Sequence, residues 1–90
     1  MQFPDEVEYS EKYSDDQYEY RHVFLTFPMF QRLQKEKEVI QGQRFLTERE
    51  WRTLGVQQSA GWEHYMVFKP EPYVLLFRRP LPAQTYKPFK

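Results

Sequence analysis

Two histidines and no cysteine limit the catalytic chemistry open to this chain. His22 or His64 could join Ser59 and an aspartate in a triad, where the imidazole takes the serine proton. The strained turn that presents a nucleophilic serine has the spacing G-x-S-x-G, and Ser59 does not complete it, because Gln57 stands where the first glycine would be. Both histidines fall inside segments that read as strands, where a hydrogen-bonded structural role is the simpler account. Without cysteine or ligand-spaced partners, two histidines make a poor metal site. The only glycines are Gly42, Gly55 and Gly61, so there is no glycine-rich phosphate loop. The expectation is a protein that is not an enzyme and needs no cofactor or metal.

The charges offer a different chemistry. Thirteen Lys and Arg balance thirteen Asp and Glu, yet the two signs are segregated. Residues 1–20 hold seven acids and only Lys12, while residues 21–90 hold twelve bases and six acids. Such a split suits self-complementarity, a solvated acidic leader, or a basic site for an acidic or phosphorylated ligand. Aromatic residues make up 19% of the chain, and bases interleaved with aromatics on a sheet also suit single-stranded nucleic acid. The zero net charge, the acidic first twenty residues and the lack of an aromatic RNA-binding signature argue against that partner.

These groups must be positioned by one small domain, because ninety residues support one modest core. No apolar run approaches eighteen residues, so no membrane span or membrane partner is expected. The start, Met1-Gln2-Phe3-Pro4-Asp5, lacks the basic and apolar regions of a secretory signal. Residues 1–7 read as a flexible acidic leader. Two β-rich runs, Tyr9 to Tyr13 and Tyr18 to Leu25, flank the turn-forming Ser14-Asp15-Asp16-Gln17 and predict a hairpin. In its second strand Tyr18, Tyr20, His22 and Phe24 share one face, and Glu19, Arg21, Val23 and Leu25 the other.

Pro28 suits the first turn of a helix whose apolar stripe is Met29, Phe30 and Leu33. Residues 34–45 read as a helix tail and an exposed loop. Thr47-Glu48-Arg49-Glu50 is a capping box, with Leu46 and Trp51 as its hydrophobic staple and Gly55 as the stop. Trp62 to Phe68 and Tyr73 to Arg79 read as two further strands. The second contains Tyr73-Val74-Leu75-Leu76-Phe77, apolar on both faces, whereas a small antiparallel sheet with one wet face alternates. Two helices could cover one face. The other needs a partner, a ligand or a second copy.

Three segments together resemble the Cks family, the small regulatory subunits of cyclin-dependent kinases. They are Tyr18-Glu19-Tyr20-Arg21-His22-Val23, the run from Glu50 to Met66 containing Gly55-Val56-Gln57-Gln58-Ser59-Ala60-Gly61-Trp62, and Pro70 to Pro80. The resemblance implies an α+β fold in the order ββααββ: a four-stranded antiparallel sheet with two short helices inserted between strands two and three. That domain spans 8–82, with a longer connection at 34–45 and a flexible tail at 83–90.

It implies a non-catalytic intracellular adaptor of nucleus and cytoplasm, acting in cell-cycle control by promoting multisite phosphorylation. One surface would bind the catalytic subunit of a cyclin-dependent kinase with its cyclin, through Tyr13, Met66, Val67, Phe68 and Glu71. A separate pocket of Lys12, Arg21, Gln58, Ser59, Trp62 and Arg79 would bind phosphothreonine-containing proteins. Pro70, Glu71 and Pro72 would form a hinge through which strand four can pass to a second chain, giving a strand-swapped homodimer. The chain departs from the family pattern at Phe68, Lys69 and Tyr73, where the family has a histidine, an acid and a histidine. Arg49 and Thr53 replace the residues by which some animal members dock a ubiquitin-ligase receptor, so that partner is not expected.

Overall fold

The computed structural model describes residues 2–81, so the tail expected at 83–90 lies outside it. Strands β1 (Glu8–Tyr9), β2 (Tyr13–Ser14) and β3 (Tyr18–Phe24) come first. Helices α1 (Phe27–Leu33), α2 (Lys37–Ile40) and α3 (Glu48–Leu54) follow, then β4 (Glu63–Val67) and β5 (Val74–Pro80). The sheet is antiparallel in the order β1-β3-β5-β4, with β2 also paired to β3. The class is α+β, with the helices inserted ahead of the last hairpin. The run that is apolar on both faces becomes β5, which lies between β3 and β4.

The expected first strand is two short ones, which makes five strands among the described residues instead of four. Glu8 and Tyr9 face Phe24 and Val23, whereas Tyr13 and Ser14 face Tyr20 and Glu19, so one extra residue is absorbed between the pairs. Ser10 makes this bulge. Its N–H donates to the His22 carbonyl at 2.8 Å, and its hydroxyl accepts the His22 N–H at 2.8 Å where a carbonyl would ordinarily do so. The following turn is built on Asp15, whose Oδ1 accepts the N–H groups of Gln17 and Tyr18 at 2.8 Å each. Short polar side chains replace backbone partners in this way at turns.

Helix α1 starts at Thr26, whose hydroxyl accepts the Met29 N–H, and it buries Met29, Phe30 and Leu33. Helix α3 has both bonds of the capping box: Glu50 N–H to Thr47 Oγ1 at 3.2 Å and Thr47 N–H to Glu50 Oε1 at 2.9 Å. Gly55 ends it with φ of 121°. The structure corrects the helix tail and exposed loop expected at 34–45: the segment contains α2, which makes three helices among the described residues instead of two. Val39 of α2 is fully buried. Arg44 then clamps the connection by meeting Glu36 at 2.8 Å, Glu38 at 3.4 Å and Glu50 at 2.9 Å. That contact and the Thr47 N–H hold the Glu50 carboxyl below the usual carboxylate range.

The pleat divides the sheet into two faces, since residues opposite one another point the same way. Val23, Leu75 and Phe77 lie on the helix side in one core with Leu25, Phe30, Leu33, Trp51 and Leu54, and His64 and Val67 are buried on the same side of the sheet. The other face carries Tyr18, Tyr20, His22 and Phe24 of β3 beside Val74, Leu76 and Arg78 of β5; Val74 is buried there, while Tyr13 and Met66 stand half-exposed. Outside the regular elements, Phe3 of the leader seats its ring 4.9 Å from Tyr73, 5.1 Å from Phe27 and 5.5 Å from Phe30.

Candidate functional site

Two arginines stand on the helix side toward the end of the β3–β5 ladder and are only partly buried. Arg79 faces Glu19 across the strands, and Arg21 faces Phe77 two pairs further in. Both guanidinium groups lie over the indole of Trp62, at 4.6 Å for Arg79 and 5.3 Å for Arg21. Trp62 is itself buried, at the point where the loop after α3 enters β4. Arg79 donates from Nη1 to Ser59 Oγ at 3.0 Å, and Trp62 donates from Nε1 to the same oxygen at 3.2 Å. The Ser59 oxygen is thereby committed as an acceptor, which leaves its O–H free to donate.

Holding two cations against one ring is repulsive unless an anion sits near them. Glu19 supplies one such charge: its Oε1 lies 2.7 Å from both Nε and Nη2 of Arg79. Among the described residues, Arg21 keeps a buried Nε without a partner, and both amide atoms of Gln58 are likewise buried and unpaired. Unspent donors beside uncompensated positive charge, walled by an indole, form a cradle for an anion with several oxygens.

Of the six residues expected in this pocket, contacts join Arg21, Ser59, Trp62 and Arg79, and Gln58 sits beside Ser59 in the same loop. Lys12 is exposed in the bulge between β1 and β2 and makes no hydrogen bond or ion pair among the described residues. Continuing the β2 register by one residue sets it opposite Arg21. Two residues the sequence reading missed complete the arrangement. Glu19 orients Arg79. Tyr9 lies under Arg21, 5.6 Å from its guanidinium, and its hydroxyl accepts the Gln57 N–H at 2.7 Å. The signal for Glu19 was its place two residues before Arg21 on the same strand face. Nothing local marked Tyr9.

The opposite face is aromatic and open. Tyr13 stacks on Tyr20 at 5.2 Å and its hydroxyl meets His22 Nε2 at 3.1 Å. Arg78 lies 4.4 Å over Tyr18 and 5.0 Å over Tyr65, while its Nε donates to Glu63 at 2.8 Å. The bond from Tyr20 to Asp15 Oδ2, at 2.6 Å, pushes the Tyr20 phenol up to about 12. Tyr13, Met66 and Phe68 expose 50%, 49% and 41% of their surface, which is unusual for large apolar side chains gathered on one side. Phe68 and Glu71 also line a cleft of about 230 Å³ with His22, Phe24, Val74 and Leu76.

Val67 is not part of this surface. It is buried on the helix side, because β4 shifts register between His64 and Met66 and the bulge turns Met66 outward and Val67 in. His64 itself is buried, accepting the Leu46 N–H at Nδ1 at 2.9 Å, and burial pushes its imidazole down to about 4. It is a structural group with no place in either surface. The segment Pro70-Glu71-Pro72 closes the β4–β5 hairpin with two turns, Glu71 N–H to the Phe68 carbonyl at 3.0 Å and Val74 N–H to the Glu71 carbonyl at 2.9 Å.

The family model described as cyclin-dependent kinase regulatory subunit, CKS, matches residues 7–81. The chain belongs to the CKS family. It is 48% identical over 81 residues to cyclin-dependent kinases regulatory subunit 2 of Xenopus laevis, covering 90% of this chain and 94% of that one. It is 51% identical over 83 residues to a probable cyclin-dependent kinases regulatory subunit of Physarum polycephalum, covering 90% of each. With the regulatory subunit of Saccharomyces cerevisiae the identity is 49% over 83 residues, covering 90% of this chain and 55% of the yeast one. The CKS match spans both the cationic pocket and the aromatic face, whereas Phe3 lies before its first residue.

Proposed function

We propose that this CKS protein is a non-catalytic adaptor with two docking sites. The uncovered sheet face binds the catalytic subunit of a cyclin-dependent kinase with its cyclin, using Tyr13, Met66, Phe68 and Glu71. The cationic pocket binds phosphothreonine-containing proteins through Arg21, Gln58, Ser59, Trp62 and Arg79, with Lys12 at its edge. The observation that carries the second half is the convergence of Arg21 and Arg79 on one indole with a single carboxylate to offset them. A phosphomonoester brings about −1.5 to −2 charges and three acceptor oxygens at pH 7. It matches the remaining Nη donors of Arg79, the free Ser59 O–H, the Gln58 amide and the unpaired Arg21 donor, since a guanidinium carries five N–H groups and three of those of Arg79 are spent on Glu19 and Ser59.

Family membership and the exposed aromatic face support the first half. Successive residues of β3 and β5 point to opposite faces, so occupying one site leaves the other open. A kinase on one face is then held beside a substrate already phosphorylated once. The next transfer becomes effectively intramolecular, at local concentrations on the order of millimolar. Multisite phosphorylation in cell-cycle control is the expected outcome. Opening the two turns at Pro70-Glu71-Pro72 would hand β5 to a second copy and give a strand-swapped homodimer that competes with kinase for the same face.

The test is calorimetric titration with a phosphothreonine-proline peptide and its unphosphorylated twin, alongside capture of the kinase on immobilised protein. Saturable one-to-one binding of the phosphorylated form alone, unaffected by bound kinase, is the expected result. Heat from neither peptide would remove the pocket from the proposal and leave the kinase face standing.

A further inference from the structure

The pocket is assembled from two parts that share no element of secondary structure. Arg21 and Arg79 stand on the β3–β5 ladder, whereas Gln58 and Ser59 stand on the loop between α3 and β4. Residues 57–61 of that loop belong to no helix or strand. Val56 before them and Trp62 after them are buried and fixed, but the pocket residues lie between these anchors and their backbone needs its own tether. The Gln57 N–H supplies it by donating to Tyr9 Oη at 2.7 Å, across 48 residues of sequence.

Tyr9 reaches the sheet half of the pocket as well. It pairs with Val23 on the helix side, and its ring packs against the core. The Arg21 guanidinium lies 5.6 Å from its centroid, on a cation already shared with Trp62. One side chain thus touches the cation on the ladder and the backbone of the loop.

We infer that Tyr9 is a positioning residue of the anion pocket: its hydroxyl fixes the Gln57–Ser59 loop so that the Ser59 and Gln58 donors meet the ligand held by Arg21 and Arg79. This inference rests on the phosphate-docking reading above. Without the tether the loop must be ordered when the ligand arrives, and fixing even part of its backbone opposes binding. The ring and its contact with Arg21 survive replacement by phenylalanine, so Tyr9→Phe removes the tether alone.

The experiment is a double-mutant cycle read by calorimetry with a phosphothreonine-proline peptide, on the wild type, Tyr9→Phe, Ser59→Ala and the double variant. Tyr9→Phe is expected to weaken the peptide about tenfold, near the net worth of one well-formed hydrogen bond. Melting temperature and kinase capture should stay at wild-type values. In the Ser59→Ala background the same change should have much less effect, because the group it positions is already gone. Wild-type affinity in Tyr9→Phe overturns the inference, as does a loss that simply multiplies with that of Ser59→Ala. A parallel fall in melting temperature and kinase capture would reassign Tyr9 to general stability. Failure of the wild type to bind the peptide would overturn the docking reading itself, and with it the inference.

Discussion

The cationic pocket and the tyrosine-rich face share strands β3 and β5 and almost nothing else. Glu19 and Arg21 serve the first, while Tyr18, Tyr20 and His22 between and beside them serve the second. The pocket is made of long-range contacts: Arg79 to Glu19, Arg79 to Ser59, Tyr9 to Gln57. The aromatic face is made of neighbours on one pleated surface, with Tyr13, Tyr18, Tyr20 and Tyr65 ring to ring. A pleated strand can therefore carry two recognition chemistries at once, one polar and oriented, the other apolar and broad. Point changes should separate them cleanly, except where they reach the core beneath both.

The largest expected effect breaks both regions together. Phe77 is fully buried against Trp51 at 5.6 Å and faces Arg21 across the ladder. Phe77→Ala should cost about 3–5 kcal/mol of stability in urea unfolding, and both binding activities should then follow the folded fraction. Arg79→Ala should split the regions. It removes a hydrogen-bonded cation from the pocket, for a loss of about a hundredfold or more in phosphopeptide affinity, while kinase capture is retained. Loss of both activities in a folded Arg79→Ala protein would defeat the separation into two sites.

Acid should again act on both regions, through His64. Its folded value near 4 lies below the ordinary histidine value of 6.5, so the unfolded chain takes the proton first as pH falls. Stability is then complete above about pH 6.5 and declines toward pH 4, by about 2 kcal/mol at pH 5. Unfolding curves at pH 7 and pH 5 measure this, and His64→Gln, which keeps an acceptor for the Leu46 N–H, should flatten the dependence. The smallest effect is at Glu71, exposed at the rim of the open face. Glu71→Gln should weaken kinase capture about threefold to tenfold and leave phosphopeptide titration unchanged. Unaltered capture would take Glu71 out of the interface.

Much of the scaffold was legible because its signals are local. The Thr47–Glu50 capping box, Pro28 inside the first turn of α1 and the Asp15 turn each depend on residues within four positions of one another. The doubly apolar run at Val74–Phe77 announced a strand needing cover on both sides, and β5 is that strand. Helix α2 escaped notice because four residues carry too short a pattern; its one buried side chain, Val39, is paired with charged neighbours that read as loop. The resemblance to the Cks family supplied the candidate residues of the pocket, which no spacing rule would have gathered from positions 12 to 79.

Bulges decided what alternation could not. Simple alternation puts Met66 on the same face as the buried His64, yet the irregularity between them turns Met66 to the open face and Val67 to the core. The extra residue between β1 and β2 likewise separates Tyr9 on the helix side from Tyr13 on the other, although they stand four apart. The sequence alone determined where α1 begins, where α3 begins and ends, which strand is apolar on both faces and how many charges are available, since these follow from capping, pattern and composition. Only the tertiary structure decided which cations share an indole, which carboxylate offsets them and which tyrosine holds the loop. Those choices depend on strand register and side-chain reach between distant segments, and a one-residue slip reverses every face.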